Sequence, residues 1–582
     1  MKLLAALALT AYAQVQNVEK QTPTRPQSKS AKIAVVGGGI GGIYTAYKLS
    51  KKGYKDITIF EKSGRLGGKA QSLRMSGHHL DIGTYHWTSA SYDWIYETAE
   101  ELNLPLYNYV LEPEFFSIYQ YPLDMPDGSK MRMIDFLSNP MTGGEAMMMA
   151  KLASYKAKFK EYLGYSNDAY IFPDMTTNEQ MAVLGNMTFA AWLQQNDLME
   201  IYPFCHYINT NFLYGVPEAI TAYHGLLWTH PGMIEMLVTR KYATYVPYTG
   251  FQGFVETMAL DQNLHVIYNA NVKRISRQDS NKCTENCVHI TFKTSSMSGY
   301  KTKDFDFLIN AVHPEYHWNE RRTHMALSLT TQEQDLFAEN KWETNKLTLS
   351  VGMPNKNNLE SFQKYDKHFY VAQQLAPKGL WPKYDVILCL NRKIVIPQGQ
   401  APRSDTGSAD DCATYTAWNY DKRMPEFLTC YTEKFNVPLS VAKSKESNSN
   451  GVADFPQFDG KVSNDIELIT SGEGDINFVA EDIRYQFKRE YFNRYNFASV
   501  AAGKPIELFN YNLENNRNTW FVGAYVSHES TSRITDQIEL LLERSGVKER
   551  VNEAPKFFDK MFGTKMENIM EGHNGEHFDR EL

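Results

Sequence analysis

The stretch AVVGGGIGGIYTAYKL, residues 34–49, places five glycines in six positions directly after a run of small apolar residues. Residues 32–36 are typical of a buried strand, and apolar residues recur at helical spacing after the glycines. Residues 57–60 form a second strand pattern, which ends at Glu61. This order of strand, glycine turn, helix, strand and acidic residue predicts a βαβ unit that binds a dinucleotide.

The glycines have different roles in such a turn. Gly37 allows the chain to turn tightly, Gly39 allows the backbone to approach a pyrophosphate, and Gly42 allows the helix to pack close to the strand. The N–H groups and the dipole at the start of the helix face the phosphates. Glu61 is expected to accept both hydroxyls of an adenosine ribose and to repel the 2′-phosphate of NADP. The predicted residues of the turn are Gly37, Gly39, Ile40, Gly41 and Gly42.

The next stretch, EKSGRLGGKAQS at residues 61–72, places a second glycine pair between two basic residues. Such a loop is expected to hold the other side of a pyrophosphate. Glu61 followed by this loop resembles the FAD signature of the flavin amine oxidase superfamily, which includes amine and L-amino-acid oxidases, phytoene-type desaturases and protoporphyrinogen oxidase. The cofactor residues assigned here are Glu61, Lys62, Arg65, Gly68 and Lys69.

Further segments resemble this family in the family's order, from residue 32 to about residue 546. LDIGTYHW (80–87) resembles the strand beside the isoalloxazine ring, and NANVKRIS (269–276) resembles the strand whose backbone meets adenine. The segment 519–546 resembles the C-terminal strand and helix, whose start faces the flavin pyrimidine. The additional FAD residues that the resemblance implies are Gly83, Thr84, Tyr85, Val272, Gly523, Ala524 and Ile534.

The resemblance implies an α/β fold, in which a Rossmann-type FAD-binding domain is combined with a discontinuous α+β substrate domain. Helical patterns rich in Met and aromatic residues fill 145–240, and β-type patterns follow residue 345. The predicted divisions are a signal peptide at 1–13, a polar leader at 14–30, an FAD-binding domain from 31–110, 250–315 and 505–550, a substrate domain from 111–249 and 316–504, and a polar tail at 551–582.

Two residues are candidates for catalysis. Lys346 matches the position where many amine oxidases place a lysine that bonds through water to flavin N5, and a positive charge there favours reduced flavin. The alternative for Lys346 is an exposed lysine on a strand edge. Tyr85, His86 and Trp87 could line the flavin, where His86 could carry a proton. The alternative is that all three residues only pack beneath the flavin ring. Because no covalent flavinylation motif is present, the resemblance implies non-covalent FAD.

The segment after Gly523 departs from the family. Most amine oxidases carry an acidic residue just after this glycine, whereas this chain has Ala524. The segment GAY is closer to the branches that include polyenoic fatty acid isomerases. His528 and Glu529 are therefore further candidates for the site, or they form a simple turn before the helix. The aromatic stretch EFFSIYQY (114–121) could form a cage or lipid tunnel, although a core stripe is the alternative.

The start of the chain, MKLLAALALTAYAQ, has the layout of a secretory signal peptide. Six cysteines agree with an oxidising compartment. Cys283 and Cys287 lie on a polar turn between two strand patterns, where a hairpin disulfide is expected, and Cys412 and Cys430 could form a second bridge. Asn186 begins the glycosylation signal NMT. No cysteine and histidine pairs have zinc-ligand spacing, so no metal is expected.

The net charge of −7 argues against a nucleic-acid partner, because nucleic acid binds to a basic protein surface. After the first residues, no segment is apolar enough to span a bilayer. The leading hypothesis is a secreted FAD-dependent oxidoreductase that oxidises an amine or amino acid. Hydride passes to flavin N5 and oxygen is the acceptor. One alternative is dehydrogenation or double-bond isomerisation of an apolar, fatty-acid-like substrate. Another is a flavin-bearing extracellular protein without turnover.

Overall fold

The architecture comes from a computed structural model. It describes residues 25–314, 326–352 and 483–552, together with four strands between 369 and 438. Within these ranges the undescribed positions are 76–77, 82–83, 85–86, 89, 110–121, 126, 212–213, 216, 241–243, 280–282, 284 and 515–516.

The helices and strands are listed in chain order. The helices are α1 (Ile40–Lys51), α2 (Asp93–Glu101), α3 (Met133–Ser138), α4 (Gly144–Leu163), α5 (Asn178–Gly185), α6 (Phe189–Gln195), α7 (Tyr202–Asn211), α8 (Ala222–Trp228), α9 (Pro231–Val238), α10 (Gly250–Asp261), α11 (Thr331–Leu336), α12 (Phe497–Ala501), α13 (Lys504–Glu514) and α14 (Thr531–Arg544). The strands are β1 (Ile33–Val36), β2 (Ile57–Phe60), β3 (Ser72–Met75), β4 (His78–Asp81), β5 (Trp87–Thr88), β6 (Leu106–Tyr109), β7 (Pro122–Asp124), β8 (Lys130–Arg132), β9 (Thr244–Pro247), β10 (His265–Ile267), β11 (Asn271–Arg277), β12 (Val288–Lys293), β13 (Lys301–Phe305), β14 (Phe307–Asn310), β15 (Ala326–Leu327), β16 (Trp342–Gly352), β17 (Phe369–Ala372), β18 (Ile387–Leu390), β19 (Ala413–Trp418), β20 (Leu428–Pro438), β21 (Ile483–Tyr495) and β22 (Thr519–Phe521).

A five-stranded parallel sheet carries the predicted βαβ unit. Its order is β10-β2-β1-β14-β22, and every neighbouring pair is parallel. The chain leaves β1 towards β2 on one side and adds β14 on the other, which places a topological switch point at the carboxyl end of β1. Ligands of open α/β sheets bind in the crevice at this point. Strand β14 is internal to this sheet, and β22 forms one of its edges.

Two further four-stranded sheets flank this unit. One has the order β13-β12-β11-β15, and the other has the order β19-β20-β16-β21. Strands β11 and β12 form the hairpin expected around the first cysteine pair, and Cys283 and Cys287 are joined by a disulfide with Cα atoms 5.6 Å apart. The strand patterns predicted after residue 345 are confirmed by β16 and β18.

The helical patterns predicted for 145–240 are confirmed by α4 to α9, which form a layer whose buried apolar residues share one continuous core with the parallel sheet. Tyr155 and Trp192 are fully buried there, and the Tyr155 hydroxyl donates to the Thr229 carbonyl at 2.7 Å. Helix α14 is tied to this layer by Arg533, which donates to the Leu227 carbonyl at 2.9 Å. The layer is therefore fastened to the last helix of the sheet domain.

The end of the predicted polar leader is packed against the domain. Arg25 donates to the Gly546 carbonyl at 2.8 Å, and Pro26 is buried. The ammonium group of Lys29 lies 3.8 Å from the centre of the Tyr54 ring. Residues 25–30 are thus held by the sheet domain. In the part of the chain that the structure describes, every helix is too short or too polar to cross a bilayer.

Candidate active site

Three loops meet at the carboxyl end of β1. The glycine turn and the second glycine loop are joined by a hydrogen bond from Gly67 N–H to the Gly38 carbonyl at 2.9 Å. The loop after β22 approaches the same turn, since a Cβ atom on Gly41 would lie 2.8 Å from the Gly523 Cα. Lys69 forms an ion pair with Glu529, which links the second loop to the third. The sequence-predicted FAD residues of these loops are therefore brought together.

The glycines of the turn are required for two different reasons. A Cβ atom on Gly42 would lie 2.1 Å from the Gly37 carbonyl oxygen, and Gly37 itself has φ +104°. Glycine is required at these two positions because the fold itself leaves no room for a side chain. At Gly39 φ is −77°, and a Cβ atom would meet no protein atom closer than 3.8 Å. The protein itself does not require glycine at residue 39, which is the result expected if a ligand occupies that space.

The start of α1 has the properties of an anion site. Gly39 is the N-cap, makes no side-chain capping bond, and is followed by a first turn without acidic residues. The first N–H groups of this 12-residue helix therefore lack a side-chain acceptor at the cap, and the helix dipole favours negative charge at this end. Ile40 is half-buried and Gly41 is buried at this position.

The carboxylate of Glu61 is held by the protein at the end of β2. Its Oε2 accepts from the Gly38 N–H at 2.6 Å, and its Oε1 accepts from the backbone and hydroxyl of Ser63 at 2.7 and 2.8 Å. A carboxylate has about four acceptor positions, so these three bonds leave capacity for a ribose hydroxyl. Glu61 therefore orders the glycine turn as well as facing it.

The basic residues of the second loop have protein partners. Arg65 donates to the carbonyls of Leu66 and Gly68 at 3.0 and 2.9 Å, which braces its own loop. Lys69 is paired with Glu529, and Lys62 is exposed. The pyrophosphate contacts of these residues remain predictions.

Strand β11 begins beside Glu61. The Ala270 N–H donates to the Glu61 carbonyl at 2.8 Å, and the Asn269 N–H donates to the Ser63 carbonyl at 3.0 Å. Val272 follows in β11 and is buried. The structure thus brings the predicted adenine contact next to the predicted ribose contact.

The loop after β22 is anchored to β14. Val522 N–H and the Tyr525 hydroxyl both donate to the Asn310 carbonyl, at 3.0 and 2.8 Å. Gly523 has φ +106°, a conformation that disfavours side chains. Ala524 packs against the core, and Ile534 is buried in the first turn of α14. The turn after β22 therefore directs residues 524–534 along the edge of the switch point.

An aromatic cluster joins this loop to the helical layer. The ring of His528 lies 4.1 Å from the ring of Tyr214 and 4.9 Å from the ring of Trp228. Arg494 lies 4.8 Å from the centre of the Tyr214 ring and forms a buried ion pair with Glu343, with Nε and Oε1 2.9 Å apart. Desolvation by burial holds the pKa of His528 well below its usual range, so its imidazole is neutral. Sequence reasoning missed Tyr214, Trp228 and Arg494, because no local pattern links them to residue 528.

Several predicted residues lie outside this description. Gly83, Tyr85 and His86 are not among the described residues, nor is the stretch 114–121. Lys346 lies on β16 opposite Lys434 and Glu490, but its side chain is not described. Thr84 is half-buried.

Trp87, which was predicted to lie near the flavin, is fully buried in the core. Its ring packs edge-on against Phe251 and Phe254 of α10, with ring centres 5.1 and 4.9 Å apart. A core role therefore accounts for the Trp87 ring.

A family model described as flavin containing amine oxidoreductase matches residues 40–315. Over this segment the chain resembles the flavin amine oxidase superfamily. A probable flavin-containing monoamine oxidase A from Dictyostelium discoideum is 21% identical over 368 residues, which cover 61% of this chain and 70% of that protein.

Other relatives match over shorter segments. A 4,4'-diapolycopen-4-al dehydrogenase from Metabacillus indicus is 48% identical over 52 residues, 9% of this chain and 10% of that protein. Apart from the Dictyostelium protein, the leading curated relatives are matched over only about a tenth of their length. The crystal structure of a CLA-producing fatty acid isomerase from P. acnes has a TM-score of 0.58 and 16% identity, and the match covers 89% of this chain and 99% of that chain. At this identity the likeness shows the fold.

The cofactor of this family is FAD, and the described residues fit it. The open space at Gly39 lies at the start of α1, where the helix favours a phosphate. The buried Nε2 of His528, on the loop after β22, has no hydrogen-bond partner among the described residues. The glycine turn and α1 would hold the pyrophosphate, Glu61 would hold the ribose, and the loop after β22 would border the flavin.

Proposed function

We propose that the chain is a secreted FAD-dependent oxidase of an amine or amino acid. The substrate loses a hydride from the carbon that bears nitrogen and a proton from the nitrogen, and the resulting imine takes up water to give a carbonyl compound and ammonia. Two electrons and two protons reduce oxygen to hydrogen peroxide. FAD, when bound, supplies the two-electron acceptor for this chemistry.

The observation that carries this proposal is the meeting of the three loops beside the aromatic cluster. The glycine turn offers an anion site with free space at Gly39, and the cluster of Tyr214, Trp228 and His528 lies across the loop that begins at Gly523. A dinucleotide held by the turn would therefore extend towards a buried aromatic wall. The Dictyostelium relative is a probable monoamine oxidase, which supports a C–N bond as the site of oxidation.

The chain's own residues would orient the substrate and exclude water. Tyr214 and Trp228 are buried, and their rings stack with centres 5.7 Å apart. Such a wall excludes water and favours the uncharged amine, which is the form that can lose hydride. Lys346, if its side chain points to the flavin, would place a positive charge that favours reduced flavin.

The first test is the visible spectrum of the purified protein without air, before and after addition of pooled amines and amino acids. We expect flavin bands that bleach on addition and return with oxygen, together with hydrogen peroxide. Lys346→Met should slow the return of the bands about tenfold or more while leaving the FAD content unchanged. Lys341→Met, on a surface lysine paired with Asp335, serves as the control. Flavin bands that no amine or amino acid bleaches would contradict C–N oxidation.

A second candidate is dehydrogenation or double-bond isomerisation of an apolar substrate. The observation that favours it is Ala524, which stands where most amine oxidases carry an acidic residue and here packs against the apolar core. A fatty acid isomerase is also among the solved structures of similar fold. Shifted double bonds in a polyunsaturated fatty acid, without hydrogen peroxide, would favour this candidate, and Lys346→Met would then have little effect.

Secretion is part of the proposal and has its own test. The expected cleavage follows Ala13, so the mature chain should begin at Gln14, as intact mass and N-terminal sequencing of protein from the culture medium would determine. Asn186 is exposed at the end of α5, and loss of mass after glycosidase treatment would identify it as a glycosylation site. Retention of residues 1–13 in the functional protein would contradict the signal peptide.

A further inference from the structure

The hydrogen-bond arrangement of His528 defines its tautomer. Its Nδ1 accepts from the Ser530 N–H at 3.3 Å, so the proton of the neutral ring is on Nε2. The residue is 3% exposed, and Nε2 has no hydrogen-bond partner among the described residues. A buried donor without an acceptor is costly, and such atoms in native proteins call for a bound partner. The Nε2–H group is therefore a buried donor that could bind an acceptor on a ligand.

The surroundings of this donor restrict what the acceptor can be. The ring is held between the flavin-side loop and the helical layer by Tyr214 and Trp228, at 4.1 and 4.9 Å. This is the junction at which a substrate would meet a dinucleotide held by the glycine turn. Another buried polar atom without a partner among the described residues, the Tyr223 hydroxyl oxygen, belongs to the same aromatic cluster through His224, whose ring lies 5.2 Å from the Tyr223 ring.

The charged groups that face this position are two buried arginine–acid pairs. Arg494 is paired with Glu343, and Arg533 is paired with Asp536 at 2.9 Å. Burial raises the pKa of both acids, that of Asp536 to about 7, so near neutral pH Asp536 offsets the charge of Arg533 incompletely.

The remaining titratable neighbours are neutral or paired. His224 is buried, and desolvation holds its pKa well below its usual range, so it is neutral. The Glu529 carboxylate is paired with Lys69. The local potential therefore favours an anionic acceptor.

We propose that the Nε2–H group of His528 binds a carboxylate oxygen of the substrate, in a subsite walled by Tyr214 and Trp228. This inference rests on the proposed function and narrows its substrate to a carboxylate-bearing molecule. In the amine reaction the substrate is then an amino acid, and in the alternative reaction it is a fatty acid. His528 acts here as a binding residue, and no proton transfer is assigned to it.

The test compares two variants that each keep one side of the imidazole. His528→Gln places an amide N–H near the Nε2 position, whereas His528→Asn places an amide oxygen near Nδ1 and has no group at Nε2. The probes are hexanoate and its uncharged counterpart hexanamide, titrated into the holoenzyme. Binding is followed by the flavin spectrum and by the melting temperature, because a ligand of the folded state raises that temperature.

We expect hexanoate to perturb the wild-type spectrum and to raise its melting temperature, and hexanamide to do neither at the same concentration. His528→Gln should bind hexanoate within about threefold of wild type, and His528→Asn should bind it at least ten times more weakly. Equal affinity in the wild type and His528→Asn, or a wild type that ignores hexanoate, would overturn the assignment.

His528→Phe keeps a ring packed against Tyr214 and Trp228 and removes both nitrogens. We expect this variant to melt at or above the temperature of the ligand-free wild type and to lose hexanoate binding. If His528 were only a packing residue, the variant would bind hexanoate as the wild type does. The absence of flavin bands in the wild type would contradict the proposed function, whereas intact bands with unchanged hexanoate binding in His528→Asn and His528→Phe would contradict this inference alone.

Discussion

Gly39→Val should yield a folded protein that has lost its FAD. The added Cβ would meet no protein atom closer than 3.8 Å, so the fold itself can accept the side chain. The two methyl groups would instead occupy the space at the start of α1 where the pyrophosphate approaches. Loss of the helix N–H bonds to the phosphates, at about 1.5–3 kcal/mol for each bond to a charged group, predicts FAD affinity roughly 100-fold lower.

The measurement is the ratio of flavin to protein absorbance after purification, followed by titration of the apoprotein with FAD. Gly64→Val is the matched control, because Gly64 is exposed in the neighbouring loop and its Cβ would meet only the Asn269 side chain, at 3.8 Å. The control should retain FAD and melt close to the wild-type holoprotein, whereas Gly39→Val should melt close to the wild-type apoprotein. Full FAD occupancy in Gly39→Val would place the pyrophosphate elsewhere.

Of the variants proposed here, Arg277→Leu should cause the largest fall in the free energy of unfolding. Arg277 and Glu333 form a fully buried ion pair, with two bonds of 2.9 and 2.5 Å between guanidinium and carboxylate. Arg277 also donates to the Thr519 hydroxyl at 3.2 Å, at the start of β22. Removal of one partner leaves a buried, uncompensated carboxylate, so we expect the free energy of unfolding to fall by about 3–5 kcal/mol.

The control for this prediction is the exposed pair of Arg132 and Asp135, whose closest atoms are 2.7 Å apart. Arg132→Leu should leave the free energy of unfolding nearly unchanged, because exposed ion pairs contribute little to stability. Denaturant titration of both variants measures the two losses. A cost for Arg277→Leu no greater than that for Arg132→Leu would show that the buried pair is replaceable.

The same pair predicts a pH dependence. Burial opposes ionisation of Glu333, but the charge and hydrogen bonds of Arg277 outweigh it and lower the pKa of Glu333 below its ordinary value of 4.5. A lowered carboxyl pKa stabilises the fold above pH 4.5, and this contribution is lost as pH falls through the folded-state pKa. The stability difference between wild type and Arg277→Leu should therefore narrow on acidification below pH 4.5.

The parts of the fold that depend on residues close together in the sequence could be predicted from the sequence. The strand, glycine turn, helix and second strand around Gly37 are local, and each is encoded by apolar spacing and by glycine. Glu61 could be predicted because it directly follows the second strand. The hairpin that carries Cys283 and Cys287 was predictable for the same reason, since two strand patterns flank a short polar turn.

Contacts between distant residues could not be predicted in this way. Gly41 looks like a phosphate ligand in sequence, but its missing side chain also admits the backbone of Gly523. The partner of Lys69 is Glu529, 460 positions away, and no periodicity connects the two. Tyr214 and Trp228 resemble ordinary core residues of a helical segment until the loop after β22 places His528 against them.

The completion of the sheet by β22 has a consequence for how the protein is made. The glycine turn emerges from the ribosome early, whereas the loop that borders the flavin is synthesised 460 positions after the loop it pairs with. During translation the nascent chain contains the glycine turn and the second glycine loop but not the loop after β22. The cofactor site is therefore incomplete, although its early loops can already contact the phosphates. We therefore expect the chain to retain FAD tightly only after nearly the whole chain, including the loop after β22, has been made and folded.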